Sequence, residues 1–164
     1  MATPTNLPAT QTVGGTATST WANDIRGAFR VLQVVNATSS TAWTNNTSTY
    51  SDITGLSASI TPQSTSNKVL VVINIQGAGK TNNTNLDIRV RRGTTTIQNS
   101  LGNFGTGSNL NQNGGVTLIW LDSPATTASR TYTVQGASSA NIASVVAQLL
   151  GSSDSSITLF EISA

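Results

Sequence analysis

From Arg30 onward, apolar residues recur at every second position or in short solid runs, and clusters of Ser, Thr, Asn and Gly separate them. That pattern predicts an all-β chain. In Leu86-Asp87-Ile88-Arg89-Val90-Arg91 the apolar side chains share one face and the charged ones the other, as in a strand with one wet side. Val69-Leu70-Val71-Val72-Ile73 is apolar at every position. Such a strand needs cover on both faces, from the opposing sheet on one and from the N-terminal segment or another subunit on the other.

The same pattern places strands at Arg30–Ala37, Ala42–Thr44, Tyr50–Ile53, Leu56–Ile60, Lys68–Gln76, Leu86–Arg92, Thr95–Gln98, Val116–Leu121, Arg130–Gln135, Ile142–Leu150 and Ile157–Ile162. Ile142–Leu150 also fits a helical turn. Thr61-Pro62, Arg92-Gly93, Gly114-Gly115, Ser123-Pro124 and the Ser152–Ser156 cluster supply the turn chemistry. Spacings of about ten residues between strands predict a β-sandwich, jelly-roll-like in winding.

The N-terminal part has a different pattern. Residues 1–18 hold Pro4, Pro8, Gly14 and Gly15 without an apolar period, which predicts an extended arm. Trp21, Ile25, Ala28 and Phe29 then fall at i, i+4, i+7 and i+8, so 19–29 reads as one short amphipathic helix behind Ser19 or Thr20 as cap. The expected organisation is an arm over 1–18, a helix over 19–29 and a sandwich over 30–164. The N-terminus has neither a basic start nor an apolar core, and the Val69–Ile73 run is too short to span a bilayer, so neither signal peptide nor membrane helix is expected.

Composition narrows the chemistry. Ser, Thr, Asn and Gln supply 72 of the 164 residues, while charged residues make up 9%. The wet surface is therefore hydroxyl and amide. With no Cys and no His, a structural zinc site, a thiol nucleophile, a Ser-His-Asp triad and a disulfide framework are excluded. The pI of about 9.5 reflects eight cations against six acids, too few to line a phosphate backbone, and no nucleic-acid partner is expected.

The remaining motifs favour structure over chemistry. Asn74–Thr81 ends in Gly-Lys-Thr after an apolar strand, like a phosphate loop. However, Asn74 stands where the pattern needs its first Gly, and no helix pattern follows, so a hairpin turn is the better reading. Asn99–Gly115 reads as a long exposed loop. Asp122 and Asp154 lie in ordinary turn contexts, Asp87 shares a face with Arg89 and Arg91 as a salt-bridge partner, and Glu161 alternates with Phe160 and Ile162. No glycosidase carboxylate pair is therefore expected, and Asp154 alone in a Ser loop is a poor ligand set for calcium. Trp21, Trp43 and Trp120 are candidate sugar platforms, but Trp120 shares a face with Val116 and Leu118, as a core residue would, and Trp43 stays ambiguous.

The order of several strings carries a resemblance. The arm Pro4–Thr10 is followed by Ile25–Val35, Tyr50-x-Asp52-x-x-Gly55-Leu56, Ser59–Pro62, Ser66–Val71, Leu121–Pro124, Tyr132–Gln135 and a closing Ser-Ser-Ile-Thr-Leu-Phe-Glu-Ile. Together these make the chain resemble, over most of its length, a family of small bacteriophage virion surface proteins described as head-decoration or tail-fibre-like. The resemblance implies a trimeric outer β-sandwich held to a particle by its N-terminal segment, with no catalytic residue and no cofactor.

The resulting expectation is a non-enzymatic virion protein on the outer capsid surface or the tail. Its partners are its own copies as a homotrimer and a major capsid or other virion protein, with no membrane partner. Pro4, Leu7, Pro8, Trp21, Ile25 and Phe29 are the candidate attachment residues, and Val69, Val71, Ile73 and Trp120 the candidate trimer or core residues. A capsid-cementing role is expected ahead of a fibre tip that binds a host-surface glycan or protein, because about 30 residues before the sandwich leave little for a shaft.

Overall fold

The computed structural model describes residues 30–104, 112–140, 143–148 and 154–163, which form two antiparallel β-sheets and, among the described residues, no helix. The first sheet runs β1 (Val31–Ser39), β10 (Ser155–Ile162), β4 (Lys68–Lys80), β9 (Val145–Ala147), β2 (Trp43–Asn45), with β7 (Gln112–Asp122) on the other flank of β4. The second runs β3 (Ser51–Ile60), β8 (Arg130–Ser138), β5 (Leu86–Arg92), β6 (Thr95–Asn103). The arm and helix expected over 1–29, with Pro4, Leu7, Pro8, Trp21, Ile25 and Phe29, lie outside the described residues.

The pairing is nested. β5 pairs with β6, β4 with β7 outside them, β3 with β8 outside those, and β1 with β10 outermost. Successive pairs fall in alternate sheets, so the chain crosses between the layers and closes a core between them. Strand alternation fills that core. Val69, Val71, Ile73 and Ile75 of β4, Leu86, Ile88 and Val90 of β5, and Ile157 and Leu159 of β10 all point inward and are buried. Each such aliphatic side chain contributes roughly 1.5–3 kcal/mol. The alternation of Leu86–Arg91 is realised as read, with Asp87 and Arg89 outward.

Several local expectations are corrected. The two strands expected within 50–60 are one strand, β3, with a register irregularity between Asp52 and Ser57. The turn expected at Asn74–Thr81 is largely strand, because β7 keeps pairing with β4 as far as Lys80. Gly77, at φ +55°, sits in the register shift between Ile75 and Ala78, and beyond this kink β9 replaces β10 beside β4. A side chain there would strain that backbone. The exposed loop expected over Asn99–Gly115 is shorter too, since β6 extends to Asn103 and β7 begins at Gln112. Of Ile142–Leu150, only Val145–Ala147 forms a strand among the described residues.

Candidate interaction surface

The acids are the first place to look for chemistry, and Asp52, Asp87, Asp122 and Glu161 are all committed to structure. Asp122, expected in a turn, is instead buried: its Oδ2 accepts the Tyr132 hydroxyl at 2.7 Å and the Arg92 guanidinium at 2.6 Å. Burial and the Asp122 carboxylate both push the Tyr132 phenol far above its ordinary value. Asp87 accepts the Gly102 N–H at 2.8 Å where a bridge to Arg89 or Arg91 was expected. Arg89 instead donates to Gln135 Oε1 at 2.6 Å and lies 4.2 Å over the Tyr50 ring, and Gln135 Nε2 donates to Asp52 at 2.6 Å. Tyr50 and Asp52 of the Tyr-x-Asp string thus knit β3, β8 and β5 together across the outer face of the second sheet.

Glu161 is the acid that the sequence pattern undervalued. It is fully buried, with Oε1 accepting Gln63 N and Asn67 Nδ2, both at 2.6 Å, and Oε2 accepting Gln33 Nε2 at 2.7 Å. Burial alone would raise its pKa, but these three donors outweigh it and hold the carboxyl below its ordinary value. It ties β1, β10 and the segment before β4 together. A buried acid with three donors is a structural clamp, not a proton donor aimed at a substrate.

The other candidates sort in the same way. Lys80 of the Gly-Lys-Thr string is buried in β4 and donates to Asn82 O at 3.0 Å, and no strand-to-helix switch cradles an anion there. Asp154 is exposed, and among the described residues no group of three or more His, Cys, Asp or Glu gathers to hold a metal. Trp43 is 7% exposed and packs on Gly136, where an added Cβ would lie 2.5 Å from its ring. Its face is covered, so it is no sugar platform. A groove of about 340 Å³ lies nearby, lined by Thr44–Thr47, Thr49, Ser51 and Ser144. It offers hydroxyls and amides for hydrogen bonding and no acid, base or aromatic ring.

The apolar surface is concentrated elsewhere. Val69, Val71 and Ile73 are in the core, whereas Trp120 is 41% exposed, against the expectation that it would join Val116 and Leu118 inside. The reason is topological: β7 pairs with β4 on one flank, and no described strand pairs with its other flank. Trp120 lies opposite Val71, on the inner side of that open edge, while Ile119 and Leu121 point outward and are exposed. At the opposite edge, Val31 and Val34 of β1 are exposed as well.

The outer face between those edges continues the apolar surface. One row across the sheet reads Val34, Phe160, Leu70, Leu121, and the next Asn36, Thr158, Val72, Ile119. The following row, Thr38, Ser156, Asn74, Thr117, is wholly polar. The outer side of the Val69–Ile73 run is therefore Leu70 and Val72, half-buried among their neighbours with nothing lying over them among the described residues.

No family model and no curated protein matches this chain. Among solved structures, the chain is matched to part of a viral structure. That structure is of infectious bursal disease virus Gx strain, at 11% sequence identity and a TM-score of 0.36 over 81% of this chain and 37% of that one. This chain thus spans little more than a third of the chain it matches.

Proposed function

We propose that the chain is a non-enzymatic structural protein of a virion, most simply a trimeric capsid decoration protein with a jelly-roll body, attached through the arm of residues 1–18. The strand order supports the fold reading. Eight long strands pair first with last, second with seventh, third with sixth and fourth with fifth, with alternate pairs in alternate sheets, as when one long hairpin is rolled up. Viral capsid and lectin domains both use that winding, so the surface has to choose between roles.

The observation that carries the structural reading is where apolar area is left uncovered. Apart from Leu101 of β6, the exposed large apolar residues lie on two edges of the first sheet and border the apolar rows between them, while Asp52, Asp87, Asp122 and Glu161 are bonded within the fold. A protein that works by adding itself to a shell contributes stability only when assembled, through surface buried in that state. Arm deletion tests the attachment. A chain lacking residues 1–18 should keep its β-sheet circular dichroism and lose binding to purified particles, and unchanged binding would move the anchor to the β body. Copy number per particle, measured by quantitative mass spectrometry, separates shell from tail: hundreds of copies for decoration, a few for a fibre.

The hydroxyl and amide groove of Thr44–Thr47, Thr49, Ser51 and Ser144 favours a second reading, a fibre tip that binds a host-surface glycan. Its side chains match sugar hydroxyls, and glycan-array binding abolished by Asn46→Ala would select it.

A further inference from the structure

We infer that copies of this chain meet head to tail through the first sheet, with the β7 edge of one copy against the β1 edge and outer face of the next, closing a ring. The inference rests on the oligomer proposed above and gives it a surface. It starts from how the exposed apolar residues are arranged. Ile119 and Leu121 face out from β7, Trp120 faces in, and no strand among the described residues pairs with the far flank of β7, so the uncovered surface wraps around an edge. Something lying only on the outer face would cover Ile119 and Leu121 and leave Trp120 in water. A body that also caps the flank covers all three.

Size separates the possible occupants. The outer face spans four strands, about 19 Å, and seven paired rows of β4 and β10, about 23 Å, so its footprint is about 440 Å² before side-chain relief and the flank are added. A helix of the length expected for 19–29 covers a strip about 16 Å by 10 Å, less than half of that. A stable contact between proteins buries about 800 Å² per partner, the scale of the face and flank together.

Charge points the same way. Neither the outward row of Val34, Phe160, Leu70 and Leu121 nor the next carries an ionisable group, Val31–Ser39 and Val116–Leu121 contain none at all, and Lys68, in the outward row at the margin of the face, donates to Ser123 Oγ at 2.8 Å. Isolated edge strands are usually guarded by Lys, Pro or inward charge; β1 has none of these, and β7 has only the inward Asp122 at its end, which is neutralised by Arg92 and leaves Val116–Leu121 unguarded. A strongly charged partner would find only the marginal Lys68 to pair with, whereas the two apolar rows of an identical copy bring no like charge together.

Strand sense then favours a head-to-tail arrangement over a two-fold. β1 and β4 both run antiparallel to β10, and β7 runs antiparallel to β4, so β7 runs opposite to β1. Rotating one copy about an axis along the strands sets its β1 beside its neighbour's β7 in antiparallel sense and uses both apolar edges at once, a contact that can close. A two-fold through β7 alone would leave Val31 and Val34 exposed.

The test uses the full chain, which has no cysteine of its own. Light scattering at micromolar to sub-millimolar concentration should give a discrete oligomer for the wild type. Ile119→Lys combined with Leu121→Lys should give a monomer with unchanged circular dichroism, and so should Val34→Lys at the other edge. On oxidation, a mixture of Val34→Cys and Leu121→Cys chains should form an intermolecular disulfide that neither forms alone. A monomeric wild type throughout that range, or disulfide formation by Leu121→Cys alone with an oligomer indifferent to Val34→Lys, would overturn the inference. A ring that forms but does not bind particles would uphold it and remove the virion role instead.

Discussion

Replacing Glu161 by Gln tests how much one buried carboxylate holds. In the wild type Oε1 takes two donors, from Gln63 and Asn67, and Oε2 takes one from Gln33, which also donates to Thr61 O at 2.7 Å. The amide can keep its oxygen toward the pair of donors, but its NH2 then faces the Gln33 amide, donor against donor. Turning Gln33 over would relieve this at the expense of its bond to Thr61. Three charge-assisted bonds thus become two neutral ones and one mismatch, a loss of about 3–4 kcal/mol, against which the relief of burying a neutral group returns about 1. The net is about 2–3 kcal/mol, or a melting temperature lower by about 4–10 °C for a chain of this size.

The pH dependence gives that experiment a second axis. Because the folded carboxyl sits below its ordinary value of 4.5, its stabilisation is fully present above that pH and is lost as pH falls through the folded pKa. Thermal melts at pH 7 and pH 3, followed by circular dichroism, should therefore show a wide gap between wild type and Glu161→Gln at pH 7 that narrows at pH 3. A variant that melts with the wild type at pH 7, or a gap of the same size at both, would refute the reasoning.

Other substitutions probe other parts of the fold. Gly136→Ala should lower stability by about 1–3 kcal/mol in denaturant titration, because the new methyl overlaps the Trp43 ring, and intrinsic Trp fluorescence should shift with it. Tyr132→Phe should cost about 2 kcal/mol by removing the hydroxyl that Asp122 accepts. Since the Tyr132 phenol is raised, its contribution is complete below pH 10 and is lost as pH climbs through the folded value, so the variant should lack that part of the alkaline loss seen in wild-type melts. Val71→Asp places a charge in the core at a site 1% exposed and should cost about 4 kcal/mol or more, read as loss of the cooperative transition at 37 °C.

What could be read from the sequence alone was the part of the structure set by nearest neighbours along the chain. Period-two alternation identified β5, β8 and β10, and the solid apolar run identified β4, because a strand's faces are written in consecutive residues. The missing His and Cys fixed which chemistries the chain does not have. Tertiary structure decided whatever depends on which strand lies alongside. Trp120 has the pattern of a core residue and is exposed because β7 turned out to be an edge, and nothing in Val116–Leu121 says whether a further strand will pair there. Gly77–Lys80 has turn composition and is strand because β7 and β9 supply its hydrogen bonds. Glu161 looks like a wet-face residue and is a buried clamp because Gln63, Asn67 and Gln33, respectively 98, 94 and 128 positions away, bring it three donors. Hydrophobic periodicity is a local property of the chain, whereas satisfying a buried polar group or leaving a strand edge open requires partners that only the folded topology brings within reach.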